Sequence, residues 1–224
     1  MTLRLSLAQD KRVLEMMAVV GIILAVSSLS LPWFKLDFTG YTDRLEGGLY
    51  KGEYTCYPNF FVFDDLGYST SPHYQPWDGG ISEYRTLMTI EASLVGLMAL
   101  TSLLFLGALL YDRRSASIVI GALSAGTAIA AAAYFALKVG DAVSIYQLSP
   151  SGPDIPNGFI SSGTDIGGTD WSWGPATGWV LMAVSASITS VTAALQALVV
   201  HKGTMSSECG EDDKSPSKPS SENR

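Results

Sequence analysis

Charge is scarce in this sequence: only 16% of its 224 residues are Asp, Glu, Lys or Arg, against 47% hydrophobic. That balance excludes a disordered chain, and with the apolar residues gathered in four blocks it is the profile of a polytopic membrane protein. Two histidines, His73 and His201, and two cysteines, Cys56 and Cys209, are all the chain offers as imidazole or thiol ligands. There are no zinc-spaced cysteines, and no phosphate-binding loop, Gly-x-Ser-x-Gly elbow or calcium loop. The expectation is therefore no enzyme, no metal and no cofactor. The net charge is −7 and no Lys/Arg patch of the kind that grips nucleic acid is present, which excludes nucleic acid as a partner.

The blocks run Val13 to Phe34, Thr86 to Tyr111, Ser115 to Leu137 and Ala176 to Val200. Each reaches the ~20 residues that a helix needs to cross a hydrocarbon core of about 30 Å. Positively charged flanks resist translocation. Arg4, Lys11 and Arg12 before the first block, Arg113 and Arg114 between the second and third, and His201 and Lys202 after the fourth therefore place those ends in the cytoplasm. The expected organisation is a cytoplasmic N-terminus (1–12), spans at 13–34, 86–111, 115–137 and 176–200, outer loops at 35–85 and 138–175, a cytoplasmic turn (112–114) and a cytoplasmic tail (201–224) in the plasma membrane. His73 and His201 then face opposite sides and share no site. The first block, basic at its start and ending in AVSSLS, also reads as a cleavable signal peptide. Its length and its interfacial Pro32 and Trp33 favour a span.

The first outer loop contains short aromatic segments, KLDFTGYTD, GGLYKGEYTCY and NFFVFDD, punctuated by Gly, Pro, Asn and Asp, which predicts a small antiparallel sheet. The second loop is richer in Gly and Pro and suggests one strand at most. In the third span Gly121 and Ala125, and Ala122 and Gly126, recur at four-residue spacing, which lets helix backbones approach closely and suggests the central helix of the bundle. The tail, polar and without aromatics, cannot bury enough surface to offset its ordering entropy and is expected to be disordered.

Several positions together resemble the claudins and their relatives, the peripheral myelin proteins and stargazin-type receptor subunits. Trp33 follows the first span, and Gly48, Leu49 and Tyr50 stand where that family carries Gly-Leu-Trp, with Cys56 shortly after. Arg85 opens an RTLM stretch at the second span, and Gly178 and Trp179 open the fourth. The resemblance implies an all-α transmembrane four-helix bundle with a small extracellular antiparallel β-sheet. It also implies a non-catalytic role of the outer loops in cell–cell adhesion, barrier formation or lateral membrane assembly. Its partners would be membrane lipids and either further copies of itself or other membrane proteins. The chain departs from the family in having Tyr50 for Trp and no second outer cysteine. Cys209 lies beyond the fourth span, so the disulfide that the resemblance implies, typically worth about 2–4 kcal/mol, cannot form within the chain. The aromatics Tyr50, Tyr54, Tyr57, Phe60, Phe61 and Phe63 are expected to replace part of it by packing. Cys56 is left as a buried inert side chain, a free thiol or an intermolecular link.

Glu91 is the polar oddity of the second span, where ionisable groups are expensive and face a partner or a cavity. Two readings stand: Glu91 pairs with Lys138 at the outer end of the third span and lines a polar path, as in a transporter or channel component, or it reaches water at the interface. A third functional reading is an accessory subunit of a larger membrane complex. Arg12 and Glu15 read as a solvated pair on one helix face. Asp37, Asp43, Glu46, Glu53, Asp64 and Asp65 give an acidic outer surface that either sets ion preference, as the resemblance implies, or keeps the loop soluble. Trp171, Trp173 and Trp179 read as an aromatic belt at the outer leaflet.

Overall fold

A computed structural model describes residues 2–41, 49–58, 61–65, 68–70, 79–142, 158–164 and 168–208. Among them, α1 is Thr2–Ser28, β1 Phe34–Tyr41, β2 Leu49–Cys56, β3 Phe61–Asp65 and β4 Tyr68–Thr70. There follow α2 Gly79–Leu110, α3 Arg114–Ala142, β5 Ser161–Thr164, β6 Asp170–Pro175 and α4 Thr177–Glu208. Three helices are long and apolar enough to cross a membrane, over Glu83–Leu110, Arg114–Ala142 and Thr177–His201. α1 falls short because it carries Lys11, Arg12 and Glu15 and because its apolar run continues past the helix end.

That end comes at Ser28, not at Phe34. The Ser28 hydroxyl donates to the Ala25 carbonyl (2.6 Å) and Ser30 to that of Ser27 (3.1 Å), while Leu29, Ser30 and Leu31 tighten into i−3 backbone bonds. Hydroxyls that engage helix carbonyls favour a stop or a bend, and Pro32 has no N–H with which to continue. Phe34 opens a strand instead. The other three helices outrun their apolar blocks: α2 starts at Gly79, α3 ends at Ala142 and α4 reaches Glu208.

The helices form a ring in which α1 packs on α2 and α4, and α3 on α2 and α4. The expected central role of the third helix is corrected by this: each helix has two chief neighbours. Ser117, Gly121, Ser124, Ala128, Ala131, Phe135, Val139 and Ala142 form the buried seam of α3. Gly121 belongs to it, and a Cβ there would meet the Phe105 ring at 2.9 Å; Gly126 faces outward with nothing within 4 Å. Hydroxyl and amide pairs join the seams: Ser102 with Ser124 (2.6 Å), Gln196 Nε2 donating to Ser117 Oγ (2.9 Å) and Ser185 Oγ donating to the Gly21 carbonyl (2.7 Å). Where lipid removes the hydrophobic drive between helices, close backbone approach and such bonds hold them.

The strands form one six-stranded antiparallel sheet in the order β4-β3-β2-β1-β6-β5. The second loop therefore contributes two strands, where its sequence suggests one at most. Its Asp170-Trp171-Ser172-Trp173 stretch alternates exposed and buried side chains, the period-two signature of a strand. In β1, Phe34, Leu36 and Phe38 are buried while Lys35, Asp37 and Thr39 between them face outward. Gly52 lies opposite Phe38, and a Cβ there would fall 2.2 Å from the ring tip, so the glycine opens the space that the ring fills.

Gly178, in the first turn of α4, is the tightest helical position: a Cβ would lie 2.8 Å from the Pro32 carbonyl oxygen and 2.5 Å from Trp33 Cδ1. Gly178→Ala should lower stability by about 1–3 kcal/mol through forced backbone displacement. Gly96→Ala, with nothing within 4 Å of the new methyl, should raise it by up to ~1 kcal/mol through helix propensity. Thermal unfolding of the two variants in one detergent checks the contrast; equal effects would contradict the packing described.

Candidate functional site

The junction of sheet and helices brings together Trp33, Cys56 and Gly178 of the residues that the sequence singles out. Trp33 is fully buried. Its backbone N–H donates to the Cys56 carbonyl (2.9 Å), its carbonyl accepts from Ala176 (3.0 Å), and its indole N–H donates to the Ser28 carbonyl (2.7 Å). Gly178 N–H donates to the Pro32 carbonyl (2.7 Å), so two N–H groups at the start of α4, which have no partner within the helix, are satisfied by the chain leaving α1. The Trp33 ring meets Phe135 of α3 edge-on, with centroids 5.1 Å apart. Phe34, Tyr84 and Phe159 approach the same ring at 6.4–6.5 Å. Phe135 has no counterpart among the sequence candidates; its only signal is a lone Phe in the Ala-rich run AAAAYFALK.

Leu49 and Tyr50 open β2, paired in register with Tyr41 and Gly40. Gly48, Asp43, Glu46, Phe60, His73 and Cys209 lie outside the described residues. Arg85 is exposed on α2. The tryptophans do not form a belt. Trp171 and Trp173 are 6% and 8% exposed, under the sheet, where Trp171 stacks on Phe38 (4.9 Å) and Trp173 Nε1 donates to the Gly158 carbonyl (2.9 Å). Trp179 is half-buried, donating to the Ala132 carbonyl (3.1 Å) and resting on Phe159 (4.7 Å). Of the aromatics expected to replace the missing staple, Tyr54 packs on Phe38 (5.9 Å).

The outer face of the sheet is polar and centred on Lys35. Its ammonium bridges Asp37 (3.2 Å) on its own strand and Glu53 (3.0 Å) on β2. Asp37 and Glu53 are register partners, so without Lys35 two like charges would stand opposite one another, which destabilises a sheet. The bond to Glu53, helped by Asp37, outweighs partial burial, which pushes the other way, and holds the Lys35 pKa above its ordinary value. Partial burial pushes the Glu53 carboxyl up, but Thr55 Oγ1 donating at 2.7 Å and Lys35 together hold it below its ordinary value. Cys56, whose carbonyl also accepts from the Tyr84 hydroxyl (3.4 Å), has its thiol buried, and burial pushes the thiol up to about 12. At neutral pH it is a thiol, a small apolar filler and a poor nucleophile.

Glu91 corrects both of its sequence readings. It is fully buried, so it does not reach water, and it has no bond to Lys138, which is exposed and pairs with Asp141 three residues on (3.1 Å). Glu91 occupies a seam position of α2, in line with Leu87, Met88, Val95 and Met98, all buried. Among the described residues its two carboxyl oxygens are the only buried side-chain polar atoms that make no hydrogen bond of good geometry, their one polar neighbour being the backbone of Phe135 on α3. Arg12 and Glu15 form no ion pair either; the three ion pairs among the described residues are those of Lys35 and Lys138. The described residues hold no cluster of three His, Cys, Asp or Glu side chains. Comparison of the sequence with protein-family models and with curated proteins finds no match to either.

Because the Glu53 pKa is lowered, its contribution to stability is present above the ordinary carboxylate range and fades as pH falls through the folded value. The raised pKa of Lys35 makes its share present below the ordinary lysine range and lost as pH rises beyond it. Tryptophan fluorescence on acid titration should show an early loss of sheet signal that Lys35→Met removes; both groups are over one-third exposed, so the change is small. Glu91→Leu should raise thermal stability by ~1–3 kcal/mol by removing an unsatisfied buried group of similar shape. Glu91→Gln should bring no such gain, and a loss on Glu91→Leu would mean that the carboxyl has a partner.

Proposed function

We propose that this is a non-catalytic membrane protein with four spans and both termini in the cytoplasm, similar in architecture to claudins. Its outer sheet is the working surface, acting in cell–cell adhesion, barrier formation or lateral assembly with other membrane proteins. The observation that carries this reading is the joint at Trp33. A sheet tied by backbone bonds to the end of α1 and the start of α4, and by aromatic packing to α3, is held at one angle to the bundle. Binding then loses little freedom at the surface itself. The face that it presents, with Lys35, Asp37, Glu53, Asp170 and Ser172, suits a polar, hydrated contact.

Retention of α1 as a fourth span is supported by two features. α1 packs on α2 and α4, with Gly21 against Ser185 and Thr189 of α4, and its other face exposes Met16, Ile23 and Val26 at 69%, 57% and 52%. Lipid would cover that face, as it would the exposed Leu103, Val119 and Val191 of the other helices. A second reading, a transporter or channel component, draws on Glu91 alone: an unpartnered acid in a membrane bundle marks an ion or proton path by default. Lys138, held by Asp141, is no part of such a path.

Expression in non-adherent cells separates the readings. Cell clustering or strand formation at contacts is expected, and Asp170→Lys with Ser172→Lys, both exposed on the outer face, should abolish it while leaving surface expression intact. Clustering unaffected by that change would remove the sheet face from the mechanism. Ion flux in liposomes that Glu91→Gln abolishes would establish the second reading, and a stoichiometric co-purifying membrane protein would establish an accessory subunit.

A further inference from the structure

At the end of the bundle away from the sheet, the chain turns from α2 to α3 in three residues, 111–113. Asp112 takes the left-handed conformation (φ 53°), Arg113 N–H bonds the Ala108 carbonyl (3.0 Å) and Asp112 N–H that of Leu109 (3.2 Å). This is the hydrogen-bond pattern of a Schellman stop, and Asp is among the few non-glycine residues that tolerate it. The turn closes one side of a cavity of about 270 Å³ that α1 and α4 complete. Three cationic side chains border it, Lys11 from α1, Arg113 from the turn and Arg114 at the start of α3, with Asp112 the one acidic side chain among the described residues that line it. None of the three makes an ion pair with a described residue; Lys11 Nζ donates at 3.5 Å to the Leu110 carbonyl at the end of α2. The negative end of α2 and the positive end of α3 meet here and offset one another, so the side chains set the potential. Among the described lining residues the net excess is two positive charges.

The remaining wall is of two kinds. Leu14, Leu109 and Val199 form an apolar side, while Ser117 and Gln196, 1% and 8% exposed and bonded to each other at 2.9 Å, add a polar patch. Just outside, Leu110 and Leu198 are each 56% exposed and Tyr111 is 82% exposed, an apolar surface ending in an aromatic, as at a lipid–water boundary. We propose that this cavity binds the phosphodiester of an anionic membrane lipid, the phosphate held by Lys11, Arg113 and Arg114 and the glycerol end of the acyl chains against the apolar side. Size favours a headgroup: the cavity lies below the ~300–1,000 Å³ of sites that enclose a whole drug-sized ligand. Basic pockets between membrane helices take acidic headgroups in this way, and on the topology proposed above the pocket faces the cytoplasmic leaflet, where such lipids collect.

The test uses the full-length protein in nanodiscs of phosphatidylcholine, with and without phosphatidylglycerol. These expose both leaflets alike, so the result is independent of orientation and of what the outer sheet binds. Phosphatidylglycerol should raise the unfolding temperature and survive as a bound adduct in native mass spectrometry. Lys11→Gln, Arg113→Gln and Arg114→Gln should each weaken binding roughly fivefold. Arg12→Gln, one residue from Lys11 but outside the cavity, should leave it unchanged. Asp112→Asn, which keeps a residue tolerant of the turn and removes the opposing charge, should tighten binding several-fold, a gain that misfolding cannot imitate. Equal stabilisation by phosphatidylcholine, equal loss on Arg12→Gln or no gain with Asp112→Asn would overturn the proposal. An equal shift with inorganic phosphate alone would overturn the assignment to lipid.

Discussion

The structure depends on how one residue, Trp33, crosses from helix to strand. At that point α1 has run out of intrahelical bonds and the sheet has not yet begun. Any N–H or carbonyl stranded there, next to a hydrocarbon phase, would lose several kcal/mol. Trp33 leaves none stranded: its N–H goes to β2, its carbonyl takes the N–H of Ala176 before α4, and its indole returns to the last turn of α1. β1 then lies between β2 and β6 with its register already fixed at both ends, Phe34 opposite Cys56 on one side and Pro175 on the other. The absence of a side chain at Gly178 makes room for the indole, and the ring transmits the arrangement to α3 through Phe135.

Away from this joint the bundle is held by small contacts repeated along its length. Glycine, alanine and serine line the seams, and hydroxyl or amide pairs link each of the contacts α2–α3, α3–α4 and α4–α1. Such pairs are modest individually, of order 0.6 kcal/mol, but each satisfies both partners. Among the described residues Glu91 is the exception to an otherwise paired interior, and this singles it out from the hydroxyls, which can always bond a carbonyl of their own helix. At one end of the bundle a rigid polar sheet faces outward; at the other, three cations with no ion pair among the described residues border a cavity. The two ends differ chemically because the loops that build them differ: long and aromatic in the first case, a three-residue turn in the second.

The apolar blocks, the short turn at Arg113 and the aromatic segments of the first loop are legible in the residue order. So is Glu91, since a carboxylate in an apolar run is a local anomaly, whereas Trp33 and Gly178 are marked out by the resemblance to a family pattern. The partners of these residues are not legible. Trp171 and Trp173 read as interfacial anchors because the tryptophan preference for a membrane boundary is a property of one side chain, whereas their burial depends on β6 pairing with a strand more than a hundred residues earlier. Lys138 reads as a counter-ion for Glu91 because both approach the same end of the bundle; helix rotation turns one inward and the other out.

By itself the sequence determined where the chain is apolar enough to leave water and which segments of the first loop form strands, because these follow from transfer free energy and local residue preference. The tertiary structure alone decided that two separate loops share one sheet, that α1 stops at Ser28, and that Cys56 and Glu91 are sealed from water. It also decided that Lys11 joins the arginines of a distant turn. Those outcomes depend on which backbone donors and acceptors find one another across the fold, and hydrogen-bond pairing between remote segments leaves no mark in composition or spacing.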